Sequence, residues 1–285
     1  LFFKAWYKPI WGGCNMNAVE VNGLIKSYGS NIVLKGIDLH ITSGEIFALL
    51  GVNGAGKTTA LECIEGLRKY DSGTIEIHGK TGIQLQSSSL PAHIKPMEAV
   101  KLFAKWNKAV IDNTTLDALG IKEMERLQYF QLSTGQKRRL HLALALIGDP
   151  DIIFLDEPTA GLDVEGRISL HNQIRKLKSQ GKTIVLASHD MAEVEALCDR
   201  IAVLTGGAIV FCGTPAELTE RTGKKYLIHV KTNQDSRTIE TDNISDTLFL
   251  LLQKISQKGL EITDIKVDRG TLEQHFIEMT RGVAK

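Results

Sequence analysis

Three short segments combine residue types that handle phosphate. Gly51-Val52-Asn53-Gly54-Ala55-Gly56-Lys57-Thr58 fits the pattern G-x-x-x-x-G-K-[ST] and is followed by Thr59. Glycines let successive backbone N–H groups point at one anion, and the start of a following helix adds its positive end. Lys57 then reaches phosphate oxygens, and the Thr58 hydroxyl is a hard ligand for Mg²⁺. The second segment, Ile152-Ile153-Phe154-Leu155-Asp156-Glu157, is an apolar strand that stops in two carboxylates. Such a strand sets its acids at the carboxyl edge of a sheet, where α/β proteins bind ligands. Asp156 there suits the Mg²⁺ shell, and Glu157 suits the orienting or deprotonation of an attacking water. In the third, Leu132-Ser133-Thr134-Gly135-Gln136, a serine cap and a glycine at a helix start make a second anion-binding arrangement.

These groups act together only if strands deliver them to one edge. Residues 46–50 are a continuous apolar run leading into the glycine loop, and a helix is expected over 57–67. Similar runs at 152–155, 183–187 and 201–204, with helical patterns at 164–179 and 191–198, suit a parallel sheet buried on both faces. The β-α-β-α order predicts an α/β core. Ahead of it, residues 18–21 and 32–41 read as an antiparallel ribbon. Between 91 and 148 strand signals vanish, and helical periodicity at 97–106, 115–119 and 135–147 predicts a helical insertion. Gly206-Gly207 predicts a hairpin turn before 208–211, and Gly213-Thr214-Pro215 the exit from the core. Runs at 226–230, 248–255, 262–267 and 272–279 predict a small β-α appendage.

At 285 residues with 43% hydrophobic and 24% charged side chains, the chain can bury a full core. Its 34 basic and 33 acidic residues leave a formal charge of +1, which gives no reason to expect nucleic acid. Cys14, Cys63, Cys198 and Cys212 are far apart and lie mostly in apolar runs, as thiols of a reducing compartment would. No window approaches the roughly eighteen apolar residues of a membrane span. Residues 1–15, aromatic and apolar with Lys4 and Lys8, are read as a leader outside the fold, with an interfacial anchor as the alternative.

The segment Leu132-Ser133-Thr134-Gly135-Gln136 resembles the signature motif of the ABC transporter ATPases, normally L-S-G-G-Q, with Thr134 in place of a glycine. The resemblance runs from about Asn17 to Leu218 and implies a P-loop NTPase core with an antiparallel β subdomain and a helical signature subdomain over about 87–150. By it, residues 16–222 form the ATPase domain and 223–285 a small C-terminal α+β accessory domain. It implies that Tyr28 stacks on the adenine of ATP, with a core tyrosine as the alternative. It implies that Gln86 is the Q-loop glutamine contacting Mg²⁺ and water, with Gln84 as the competing position. His189 matches the switch histidine at the γ-phosphate. Ala160-Gly161-Leu162-Asp163 is similar to the D-loop that crosses a dimer interface. A second copy's Ser133, Gly135 and Gln136 would close over the ATP held by Lys57, in a head-to-tail homodimer.

Residues 137–140, Arg167 and residues 271–276 resemble bacterial ABC-2-type, drug-resistance-like exporter ATPases. That resemblance implies a partner permease on a separate membrane-spanning chain, with this chain peripheral at the cytoplasmic face of a bacterial membrane. The segment 87–97, through Leu90, Pro91, Ile94 and Met97, is expected to receive a cytoplasmic helix of that permease, with packing within the helical segment itself as the alternative. The competing reading is a soluble single-cassette ABC ATPase for cofactor assembly.

Overall fold

The computed structural model describes residues 17–84, 90–221, 226–269 and 276. The predicted ribbon is the pair β1 (Asn17–Tyr28) and β2 (Asn31–Thr42), antiparallel and longer than the apolar runs alone suggest. The continuous apolar run forms β3 (Ile46–Leu50), every residue of it buried. Helix α1 (Lys57–Ile64) follows the glycine loop and stops three residues short of the predicted end. Gly66, at φ 74, takes the left-handed conformation that ends helices, and Leu67 N–H bonds back to Glu62 O.

Strand β4 (Ser72–Ile77) was not foreseen: only Ile75 and Ile77 are apolar, and it joins the ribbon as an edge beside β1. A three-stranded antiparallel sheet, β2-β1-β4, results. Strand β5 (Thr81–Gln84) then enters the main sheet. The helical insertion holds α2 (Pro96–Trp106), α3 (Asn113–Ala118) and α4 (Thr134–Ala145). The chain returns through β6 (Ile152–Asp156), α5 (Val164–Ser179), β7 (Thr183–Ser188), α6 (Met191–Leu197), β8 (Arg200–Thr205) and β9 (Ala208–Gly213). Strands 8 and 9 pair as the hairpin predicted at Gly206-Gly207.

The main sheet has the order β5-β6-β7-β3-β8-β9, parallel except for β9. The alternation of side chains along each strand divides the core into two layers. Phe47 and Leu49 of β3, with Phe154 and Val185, pack against α1 and the antiparallel sheet. Ile46, Ala48 and Leu50, with Ile153 and Leu155, pack against α4, α5 and α6. Gly82 of β5 permits close packing here, because a Cβ on it would meet the carbonyl oxygen of Ala145 at the end of α4.

After α7 (Pro215–Arg221), strands β10 (Tyr226–Thr232), β11 (Ser236–Thr241) and β12 (Ile262–Arg269) form a separate sheet, ordered β11-β10-β12, with α8 (Ile244–Gln257) between β11 and β12 in sequence. Ile228, Val230 and Leu251 make its own apolar cluster. Strand β11 has one apolar residue, Ile239, which is why periodicity missed it. Of the predicted run at 272–279, all but Phe276 lies outside the described residues; Phe276 is helical and buried in the main core.

Candidate functional site

The glycine loop runs from the end of β3 to the start of α1, both pinned in the core. Gly51 cannot carry a side chain, since its Cβ would lie 2.6 Å from the Leu204 carbonyl oxygen of β8. Gly56 caps α1 at φ 106, with Val33 and Leu34 of β2 against it. Around this turn lies a cavity of about 250 Å³ lined by Asn53, Gly54, Lys57, Thr58, Thr59 and Glu157, with Val33 and Gly56 at its edge. Val33 is a site residue that the motifs do not mark, because its only signal is burial against the loop.

Lys57 is 7% exposed, and its Nζ donates to Gly51 O at 2.7 Å and to Val52 O at 3.3 Å. Burial pulls its ammonium below the ordinary value, opposed by the Glu157 and Asp156 carboxylates. Asp156, the last residue of β6, is pushed up to about 6 by burial and by the adjacent Glu157; Lys57 and a hydrogen bond from the Thr58 hydroxyl oppose this. Thr58 and Asp156 are therefore within one hydrogen bond of each other. Two hard oxygen donors at that separation fit Mg²⁺, which takes few protein ligands and completes its shell with phosphate oxygens and water. Among the described residues no group of three His, Cys, Asp or Glu is placed to hold a metal by itself.

Glu157 sits at the next step of the chain in a left-handed conformation, φ 46. A non-glycine residue there carries backbone strain, which persists only where surrounding structure enforces it. The enforcement is visible: Glu157 N–H bonds Ala187 O of β7 at 2.9 Å, and Oε1 lies 3.0 Å from His189 Nδ1. His189 follows β7, so parallel pairing of β6 and β7 brings the carboxylate and the imidazole together.

The remaining predicted residues are divided by the fold. Tyr28 ends β1, half exposed, with Lys26 Nζ and the Arg68 guanidinium 5.3 and 5.5 Å from its ring centre; it does not line the cavity. Gln86 lies outside the described residues. The competing Gln84 is the last residue of β5, 2% exposed, and its amide has no hydrogen-bond partner. Ser133 caps α4: its Oγ accepts Gln136 N–H at 3.2 Å, and Gln136 Oε1 accepts Ser133 N–H at 2.8 Å. Asp163 caps α5, its Oδ1 accepting Gly166 N–H at 2.8 Å. Ser133, Gly135, Gln136 and Asp163 line a second cavity of about 450 Å³ that shares no residue with the first. Thr134, the departure from the signature pattern, leans on this D-loop: a Cβ on Gly161 would lie 3.3 Å from its Cγ2.

Leu90, Ile94 and Met97 are partly buried and pack against the main core. Tyr129 N–H bonds Ile94 O and Phe130 N–H bonds Ala92 O beside them. Pro91, His93 and Phe130 are exposed there, with the His93 and Phe130 rings edge to face at 5.5 Å.

Residues 34–160 match the family model of the ABC transporter. The chain is 30% identical to the daunorubicin resistance ATP-binding protein DrrA3 of Streptomyces coeruleorubidus, over 92% of this chain and 96% of that one. It belongs to the ATP-binding subunits of ABC transporters. Other relatives in this family are the Nod factor export ATP-binding protein I of Paraburkholderia xenovorans, 36% identical over 70% of this chain and 72% of that one, and the linearmycin resistance ATP-binding protein LnrL of Bacillus subtilis, 33% identical over 74% of each. The names of these relatives are those of drug-resistance and export ATP-binding proteins. The fold agrees: an ATP-binding cassette of an ABC transporter in its ADP conformation superposes with a TM-score of 0.62 at 21% identity, covering 70% of this chain and 91% of that one. This ABC protein is an ATP-hydrolysing transporter subunit, which sets the cofactor-assembly reading aside. Among the described residues no helix is long and apolar enough to cross a membrane.

Proposed function

We propose that this chain hydrolyses Mg²⁺-ATP as a head-to-tail homodimer at the cytoplasmic face of a bacterial membrane, driving export through a permease on a separate chain. The observation that carries the reading is Glu157, held at φ 46 above the phosphate cavity with its carboxylate 3.0 Å from His189. In this reading Gly51 to Thr59 cradle the phosphates with backbone N–H groups and Lys57. Thr58, Asp156 and Gln86 would hold Mg²⁺, which when bound neutralises charge on the transferring phosphoryl group. Glu157 orients the attacking water and accepts its proton; His189 donates to the γ-phosphate and fixes the Glu157 carboxylate. Tyr28 stacks on adenine.

The dimer is supported by the separation of the two cavities. Ser133, Gly135 and Gln136 present the N-terminus of α4 to a cavity distinct from the phosphate cavity of the same chain. Two anion-binding helix ends complete one site when a second copy supplies one of them. The D-loop with Asp163 borders that same surface and would lie between the two nucleotides. The permease contact falls on Pro91, His93 and Phe130, exposed beside the helical segment. Residues 16–222 act as the ATPase domain and 223–285 as an accessory domain.

Glu157→Gln tests the assignment. The amide retains the shape but accepts no proton, so turnover falls about 10²- to 10⁴-fold while Mg²⁺-ATP binding is kept. An ATP-stabilised dimer then accumulates on size-exclusion chromatography. A variant that hydrolyses ATP like the parent removes Glu157 from the reaction.

A further inference from the structure

Glu193 is an acid in the first turn of the short helix α6, 2% exposed, and the site described above makes no use of it. Its carboxylate gathers three elements. Oε2 accepts the Ser188 hydroxyl at 2.6 Å, and the Thr159 hydroxyl bonds the same carboxyl group. Ser188 Oγ in turn accepts Asp190 N–H at 3.1 Å, so one hydroxyl is tied on both sides of His189. Thr159 stands two residues past Glu157, and its carbonyl accepts Leu162 N–H at 3.1 Å, closing the turn that leads to Asp163. The remaining oxygen, Oε1, is buried without a hydrogen-bond partner, and it faces His171 Nε2 of α5 at 3.8 Å, itself buried and unpartnered. Two orphaned groups facing each other are one displacement of less than about 1 Å from a hydrogen bond. Burial pushes the Glu193 carboxyl up and the His171 ring down. On the outer side Arg167 of α5 pairs with Asp190 at 2.9 Å, bracing the same turn.

We propose that Glu193 is a positioning residue that couples the turn carrying His189 to the turn leading to Asp163, with His171 as its third partner. Both hydroxyls donate to one buried carboxylate, so neither turn moves without the other. The inference rests on the proposed dimer, in which His189 meets the γ-phosphate of one site and Asp163 borders the other. Glu193 then ties each site's phosphate contact to the surface that its neighbour uses. Neither Ser188 nor Thr159 has another side-chain route to the opposite turn among the contacts described.

The test uses the full chain and steady-state ATP hydrolysis. Glu193→Leu removes the shared acceptor and is expected to lower kcat about 10- to 100-fold by misplacing His189, while KM for ATP stays within about 3-fold because the glycine loop is untouched. Glu193→Gln retains a carbonyl acceptor and should recover most of the rate. In a double-mutant cycle, Ser188→Ala and Thr159→Val should be non-additive, the pair being no slower than Glu193→Leu. A folded Glu193→Leu chain with parental kcat overturns the proposal, as does a loss confined to KM. If Glu193→Leu does not fold, the cycle decides, and multiplicative effects of Ser188→Ala and Thr159→Val overturn it. Size-exclusion chromatography with Mg²⁺-ATP separates the two readings. Failure of the Glu157→Gln chain to dimerise breaks the functional reading, whereas a normal dimer with additive effects breaks only the coupling.

Discussion

Replacing Asp156 by Asn should stabilise the nucleotide-free protein, although it removes a residue assigned to the reaction. The carboxyl group sits at about 6, above its ordinary 3.8, because it is buried and stands next to Glu157. At roughly 1.4 kcal/mol per pH unit, that gap means the charged form costs about 3 kcal/mol in the fold at pH 7.5. The sign follows from linkage: the folded state holds the proton more tightly than the unfolded chain, so the penalty is complete above the folded value and shrinks as pH falls through it. At pH 5 the folded carboxyl is largely protonated while the unfolded one is largely charged, and the penalty drops to about half. Asn keeps an oxygen to accept the Thr58 hydroxyl, so the substitution removes the charge and little else. For a chain of this size each kcal/mol moves the midpoint by about 2–4 °C. Thermal unfolding with EDTA and no nucleotide should show Asp156→Asn roughly 6–12 °C above the parent at pH 7.5, and about half that at pH 5. A midpoint at or below the parent's at pH 7.5, or a gain that grows as pH falls, would refute the reasoning. Mg²⁺-ATP should reverse the order, because the parent gains ligand stabilisation that the variant lacks.

Three further outcomes follow from the same geometry. Lys57→Ala should weaken nucleotide affinity together with turnover, since an ammonium paired with phosphate oxygens contributes before and during reaction; titration with a fluorescent ATP analogue measures it, and unchanged affinity contradicts the assignment. A Ser133→Arg chain mixed with a Lys57→Ala chain should regain part of the activity that each lacks, because a head-to-tail pair keeps one site free of both defects; inactivity across a concentration series rules out composite sites. Phe130→Glu should leave basal hydrolysis of the isolated chain within about 2-fold, the residue being exposed and outside both cavities, yet abolish recovery of a membrane protein from detergent extracts.

The amino-acid sequence by itself determined the chemistry and the alternation of strands and helices. Glycines with Lys57, the apolar strand ending in Asp156 and Glu157, and Ser133 at a helix start are local patterns, readable because phosphate binding, sheet edges and helix caps each demand particular residues within a few positions. Boundaries at Gly66 and Gly148 were less legible, since a left-handed turn rather than the end of an apolar pattern stops each helix. Strands β4 and β11 were silent, because an edge strand in solvent needs few apolar residues.

Only the tertiary structure decided what lies beside what. Parallel pairing of β6 and β7 sets Glu157 against His189, residues 32 apart in the chain, and forces Glu157 into its left-handed conformation. Folding left Leu90, Ile94 and Met97 partly buried and Pro91, His93 and Phe130 exposed, which periodicity alone does not distinguish. It also buried Glu193 among Ser188, Thr159 and His171. In sequence Glu193 is one of two acids on a short helix. Its surroundings come from α5, β7 and the turn after β6, and contacts between distant segments leave no periodic trace in any one of them.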